Sequence, residues 1–426
     1  MNDIATAGGN RGVESVEDYR LRARAWLAQN LERRDGNTAP RRLEDFTPEI
    51  IQENRPLQRR LFEGGYAGIT WPAEYGGQGL PSAYEWAFLE EAADYVTPDF
   101  GALTITTFHI CVPTMIAHAS PEFLHRIVPR VLAGDLLVCQ FFSEPSSGSD
   151  LAGARTRATR DGDQWIINGQ KIWSTSAHLA DWGMCLARTD WEAPKHRGLT
   201  WFGVPCDAPG LTIRRIRQVN EAAMFCEDFF DDVVIPDANR IGEVNDGWGV
   251  AQTMLVFERG GGRPDDGIPI EGPGPVAPDL VRLAEGAGRL ADPLVRQKIA
   301  RAHTADYVAQ TLNARIAEMG RLGRLTPGMA SYGKLFRGTY GPIRARLAVE
   351  IGGGPAMTWD PGDAGGSETS LSYLSGRGGS IAGGTNEMQR NSIAERALGM
   401  PREPSFDTTK PFSEVLRQAQ DWKSPR

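Results

Sequence analysis

Chemistry is most legible at two positions far apart in the chain, Glu258 and Gly383. Glu258 closes the stretch L-V-F-E-R at 255–259, in a helix expected to begin near Trp248. Leu255 lies three residues earlier and shares its face. Two readings stand side by side. One is a surface glutamate paired with Arg259; the other is a carboxylate desolvated against an apolar stripe, whose raised pKa suits a general base. Gly383 opens G-G-T-N-E-M at 383–388. Adjacent glycines mark a backbone that bends where a side chain does not fit, or that another group approaches closely. Thr385 or Asn386 is placed to cap the helix that follows, and a helix N-terminus also suits an anion.

Two more stretches carry candidate groups. Q-F-F-S-E-P-S-S-G-S-D at 140–150 is dense in hydroxyls and N–H donors. It reads either as a solvated loop or as a binding loop for a polar, planar or phosphorylated ligand. K-I-W-S-T at 171–175 sets Trp173 at the end of a strand, as a core aromatic or as a wall against a flat ring. No G-x-G-x-x-G fingerprint lies between a strand and a helix, which argues against a Rossmann dinucleotide fold.

The elements that must position these residues fall into three textures. From Val16 to about Ala133, apolar residues recur at three- and four-residue steps, interrupted by a Pro/Gly-rich stretch at 68–81. From Leu137 to about Gly242, short β-rich runs alternate with turn residues. Asn168-Gly169 predicts a hairpin there and Asp161-Gly162 another turn. From Gly247 onward helices return, and Val295, Ile299, Ala302, Val308, Leu312, Ile316 and Met319 predict one long amphipathic helix of bundle type. Residues 260–278 read as a loop, and those after Pro401 as a polar tail.

Composition bounds the function. The chain has 426 residues and a formal net charge of −8, which argues against general binding to nucleic acid or anionic membranes. Five scattered cysteines without a C-x-x-C predict reduced thiols in a cytoplasm. Neither they nor the six histidines show metal-ligand spacing, so no metal site is expected. The first residues lack the apolar core of a signal peptide, and no apolar run is long enough for a membrane span.

Six blocks, taken in order, carry a resemblance. They are P-A-E-Y-G-G-Q-G at 72–79, S-E-P-S-S-G-S-D-L-A at 143–152, N-G-Q-K-I-W-S-T at 168–175, D-D-V-V-I-P at 231–236, N-D-G-W-G-V-A at 245–251 and G-G-T-N-E-M-Q-R-N-S-I-A-E-R-A-L-G at 383–399. Along essentially its whole length the chain resembles the acyl-CoA dehydrogenase family, including bacterial members that act on bulky or steroid side-chain CoA thioesters.

The resemblance implies an α+β multidomain fold. Its parts are an N-terminal helical domain (1–136), a central β-barrel or sandwich (137–242), a C-terminal four-helix bundle (243–400) and a tail (401–426). It implies FAD as cofactor, with Phe142 and Ser143 along the flavin, Trp173 and Thr175 against its other side, and Thr385 and Glu387 beyond the ring. Ser149 and Arg259 are implied to meet the acyl-CoA. Arg289 matches an arginine that reaches the cofactor phosphates of a partner subunit. In much of the family the residue before G-T is the glutamate that removes the substrate α-proton, and here it is Gly383. A minority place the base in an E-R pair on the helix entering the bundle, which matches Glu258-Arg259.

The implied reaction is α,β-dehydrogenation of an acyl-CoA to a trans-2-enoyl-CoA. Glu258 would be the base, the Gly383 N–H would polarise the thioester carbonyl, and electrons would pass to an electron-transferring flavoprotein. The expected assembly is a homo-oligomer or a heterotetramer with a paralogous subunit. Two rivals share the fold: a flavin-dependent monooxygenase or oxidase, and a non-catalytic partner subunit of a heteromer. The second is motivated by Asp292-Pro293, which stands where the arginine motif usually has Phe-Gly.

Overall fold

The computed structural model of the chain describes residues 14–35, 41–258, 277–322, 324–326, 328–358, 364–402, 404–405 and 407–423. Two compact units divide it: Met1–Thr104 with Pro121–Leu137, and Ile105–Ser120 with Val138–Arg426.

The first unit is helical. Its longer helices are Val16–Asn30, Pro48–Glu63, Ser82–Ala92 and Pro121–Leu132. The Ser15 and Thr47 hydroxyls cap the first two, accepting the N–H groups of Asp18 (3.1 Å) and Ile50 (3.4 Å). The last helix turns Phe123, Leu124, Ile127, Val128 and Val131 inward at three- and four-residue steps. Among the described residues no helix is long and apolar enough to cross a membrane.

The second unit holds an eight-stranded sheet. Its strands are β1 (Val138–Phe141), β2 (Arg157–Asp161), β3 (Gln164–Thr175), β4 (Trp182–Arg188), β5 (Leu199–Pro205), β6 (Leu211–Ile216), β7 (Phe225–Pro236) and β8 (Arg240–Ile241). The order is β6-β7-β3-β2-β4-β5-β8, with β1 pairing parallel to β4. β3 and β7 form the longest ladder, and it is broken twice, once between Ile167 and Gly169 and once between Ile172 and Ser174.

The first break corrects the hairpin expected at Asn168-Gly169. That pair lies inside β3, opposite a bulge on β7: Asn168 alone faces Asp231 and Asp232, and the Asn168 and Asp232 side chains bond each other at 2.9 Å. The left-handed residue of the bulge is Asp232, at φ +50°, while Gly169 lies against Thr156, which a Cβ would meet at 2.7 Å. The β2–β3 hairpin turns instead through Gly162 and Asp163, where Asp161 pairs with Gln164.

Helices complete the unit: Gly247–Glu258, Pro278–Gly286, Pro293–Arg321 and Ala330–Gly352. The long helix forms over the expected stripe; its first half lies in the bundle core and its second half is partly covered. Val295, Ile299 and Ala302 pack with Leu280, Ala284, Leu347 and Ile351, whereas Val308 is 45% exposed. Asp292 caps this helix, its Oδ1 accepting the Leu294 N–H at 2.8 Å, and Pro293 takes the first helical position. The Asp-Pro departure thus has a local structural reason.

The segment after Pro401, expected as a polar tail, carries the helix Phe412–Lys423. Phe412 is 2% exposed, with the buried Arg188 guanidinium 3.8 Å above its ring. The Phe412 and Ser413 N–H groups bond the Ala193 and Trp191 carbonyls at 3.0 and 2.9 Å. Phe412→Ala removes an anchored aromatic and should cost about 3–5 kcal/mol in chemical denaturation. A loss near zero would mean that this segment does not pack on the sheet in solution.

Candidate active site

Glu258 ends the helix Gly247–Glu258, as the last described residue before 277. Gly383 and Gly384 sit at φ +65° and +85°, left-handed backbone that side-chain-bearing residues seldom adopt. A Cβ built on Gly383 would lie 3.7 Å from Glu258 Oε1 and 3.4 Å from Lys334 Cε, in ordinary contact rather than collision. The point a Gly383 side chain would start from is therefore within touching distance of the Glu258 carboxylate. Two elements 125 residues apart in the chain place these groups together. The thiol of fully buried Cys111 is pushed up by its burial and, second, by the charge of Glu258.

The glycine pair is held by a residue with no signal in the motif reading. Gln389 is 1% exposed, and its Nε2 donates to both the Gly383 and Gly384 carbonyls at 3.1 Å. Thr385 caps the helix Asn386–Ser392, its Oγ1 accepting the Met388 N–H at 3.2 Å. Glu387 is exposed and paired with Arg390 at 3.2 Å. Lys334, whose stem flanks Gly383, donates to the Gly379 carbonyl at 2.9 Å.

A second group of expected residues gathers on the sheet. Trp173 has φ +66° and is 54% exposed, with its ring edge-on to Phe225 at 5.9 Å between centroids. It is not a core aromatic. Thr175 follows on the same strand, opposite Phe225. The Ser143 carbonyl accepts the Ile172 N–H at 2.9 Å, so the 142–144 segment adjoins the Trp173 turn, and Phe142 leans on Trp201 at 5.2 Å. Under this surface Lys171 is fully buried. Its Nζ donates to Glu144 Oε1 (2.9 Å) and to the Phe142 carbonyl (3.1 Å). Burial pushes the Glu144 carboxyl up, but Lys171 and the N–H groups of Arg155 and Thr156 outweigh it and hold it below its usual range.

Ser149 is exposed at the far end of that loop, and nothing stands within 4 Å of where a Gly148 Cβ would be. Its neighbour Asp150 is held by Lys195 at 3.0 Å. Arg289 stands elsewhere in the bundle: its Nη1 donates to the Glu350 and Ile351 carbonyls at 2.9 and 3.0 Å, beside the Gly352–Gly354 turn. Arg259 and the loop at 260–276 lie outside the described residues. Among the described residues no group of His, Cys, Asp and Glu has a metal-binding arrangement.

Known proteins match the chain throughout. The family models for the N-terminal, middle and C-terminal domains of acyl-CoA dehydrogenases match residues 16–135, 139–233 and 245–398. The acyl-CoA dehydrogenase IpdE1 of Mycobacterium tuberculosis is 38% identical over 407 residues, covering 92% of this chain and 99% of its own length. Two solved structures are each 28% identical. The Tcur3481–Tcur3483 steroid ACAD superposes with a TM-score of 0.68 over 91% of this chain and 98% of its own. The ChsE4–ChsE5 complex from Mycobacterium tuberculosis superposes at 0.67 over 92% and 100%.

Gln389→Leu keeps the bulk but removes both donors to the glycine carbonyls. Unfolding free energy should fall by about 1 kcal/mol, the cost of losing hydrogen bonds to partly buried acceptors. Unchanged stability would show that the glycine pair holds its conformation without the clamp.

Proposed function

The chain belongs to the acyl-CoA dehydrogenase family, and from that premise we propose that it oxidises the Cα–Cβ bond of an acyl-CoA thioester to the trans-2-enoyl-CoA, with Glu258 as the base. The observation that carries the reading is the approach of Glu258 Oε1 to within 3.7 Å of the Gly383 Cβ position. A carboxylate on the helix then serves the place that a side chain at position 383 would serve.

The residues present fit FAD. An exposed tryptophan in a left-handed turn offers a flat face, and the Phe142–Ser143 segment adjoins it through the Ser143–Ile172 hydrogen bond. Phe142, Ser143, Trp173 and Thr175 would hold the ring, with Thr385 and Glu387 beyond it. Arg289, beside the glycine turn at 352–354, would serve the cofactor of a neighbouring subunit. When bound, FAD supplies the acceptor for the β-hydride.

The protein's own part is proton removal and charge placement. A thioester α-C–H is a weak acid, so the base must act while the carbonyl oxygen gains negative charge. The Gly383 N–H is the donor we assign to that oxygen. Glu258 takes the α-proton, and the stem of Lys334 closes one side of the space between them. Ser149 and Arg259 are assigned to the acyl-CoA.

The steroid ACAD and ChsE4–ChsE5 structures motivate a bulky, steroid-type acyl group and a heteromeric assembly. Val308, exposed on the Pro293–Arg321 stripe, marks the face we assign to a neighbouring subunit. An electron-transferring flavoprotein is the proposed electron acceptor. Five free cysteines favour the cytoplasm. The partner-subunit rival loses part of its motive, since Asp292-Pro293 caps a helix. Chain purified alone should still be yellow, and a colourless chain that gains flavin only with a second subunit would favour that rival. Fast reoxidation of the reduced protein by O₂ would favour the oxidase rival.

Glu258→Gln tests the base. FAD and acyl-CoA should still bind, while anaerobic flavin bleaching on mixing with acyl-CoA slows by about 10²–10⁴-fold or more. Bleaching at the wild-type rate would place the base elsewhere. In the double variant Gly383→Glu with Glu258→Thr, partial recovery of bleaching is expected, because a Cβ at position 383 meets its neighbours only in ordinary contact, the shorter residue 258 yields room, and the left-handed backbone costs about 1–2 kcal/mol.

A further inference from the structure

Trp173 faces outward because the phase of β3 slips by one residue. Along the strand Trp165, Ile167 and Lys171 are buried. Alternation would turn residue 173 inward next. The bulge between Ile172 and Ser174 intervenes, so Ser174, 2% exposed, takes the inward place and the indole turns out. The slip turns the Ser174 hydroxyl inward, and a buried hydroxyl needs a hydrogen-bond partner.

That partner is Asp228 on β7. It is fully buried, and the Ser174 hydroxyl donates to its Oδ2 at 2.5 Å. Its Oδ1 is buried without a hydrogen-bond partner. The carboxyl has no cation of its own, since the Lys171 opposite it in register is bonded to Glu144 and Phe142. The other groups around it are Cys139 on β1, Cys185 on β4, and Glu227 and Cys226 on β7, with Ile213 opposite on β6. We propose that Asp228 is a positioning residue for the ring-binding wall: through Ser174 it fixes the bulge that presents Trp173. The inference rests on the reading of Trp173 as that wall.

The site has a pH signature. Burial, the largest influence, lifts the Asp228 carboxyl to about 7, against the Ser174 hydrogen bond and the Lys171 charge, which lower it. A carboxyl raised in the folded state keeps a proton that the unfolded chain has released. Its contribution to stability therefore falls as pH rises from the ordinary aspartate range towards 7, and is level above that.

The test uses the full chain, with and without FAD, as wild type, Ser174→Ala, Asp228→Asn and Asp228→Leu. Trp173 emission in apo protein is the component lost in Trp173→Phe. In Ser174→Ala and Asp228→Leu this emission should shift to the blue and become shielded from acrylamide, and the FAD dissociation constant should rise about tenfold. Asp228→Asn still accepts the Ser174 hydroxyl, so it should keep the emission and hold FAD within about twofold of wild type. Its melting temperature should lack the wild-type decline between pH 5 and about 7. If Asp228→Leu does not fold, Ser174→Ala tests the same bond by losing one hydroxyl. Unchanged Trp173 emission in Ser174→Ala would overturn the inference, as would an Asp228→Leu protein that folds and keeps the wild-type emission. If emission moves as expected but wild type binds no FAD, the positioning role stands and the flavin assignment fails.

Discussion

The buried pair of Lys171 and Glu144 is the contact on which the sheet side of the site depends. Side chains 0% and 4% exposed bring opposite charges 2.9 Å apart in a dry interior, which is costly unless the remaining donors and acceptors are met. They are met here. Lys171 also donates to the Phe142 carbonyl, and Glu144 also accepts two backbone N–H groups at 155 and 156. One ion pair thereby ties the 142–144 segment, the chain entering β2 and the strand bearing Trp173. Loss of one partner alone would leave an uncompensated charge, a loss of about 3–5 kcal/mol. The tie fixes where Phe142 and Ser143 lie relative to Trp173.

The helix side rests on a different device. A neutral amide, Gln389, holds Gly383 and Gly384 by donating to both carbonyls. The backbone there is shaped for close approach while Glu258 arrives from another helix. Backbone geometry and the base we propose are thus separate parts of the molecule.

How much of this is legible in the sequence depends on the range of the interaction. The helix that carries Glu258, a cap at Thr385 or Asn386 and the long helix over Val295–Met319 follow from periodicity and cap chemistry, which act within a few residues. Asn168-Gly169 misled because this glycine answers the close approach of Thr156 within a continuous strand and not a turn. Trp173 was ambiguous, since its side is decided by a slip in phase and not by its type. Asp228, 54 residues from Ser174, and Lys334, far along the chain from Gly383, leave no local pattern at all. Their roles exist only once distant strands or helices are paired. The Phe412 anchor was hidden for the same reason, as one aromatic in an otherwise polar stretch whose partner, Arg188, lies on β4.

The short distance between Glu258 and the Gly383 Cβ position also bears on ancestry. With Glu258 as the base we propose, that function cannot migrate between these two places through a form that has neither carboxylate, because such a form has nothing to take the proton. The passable intermediate carries both carboxylates. Two acids that close together cannot both ionise freely, so one holds a proton near neutrality while the other still accepts one. Such an intermediate keeps a working base throughout, and either acid is then free to be lost. Loss of the one on the turn leaves glycine, relaxes a strained backbone and returns the side chain's volume to the substrate. A wider acyl group is then a by-product of moving the base, available to lineages whose substrates are large and of no use to those whose substrates are small.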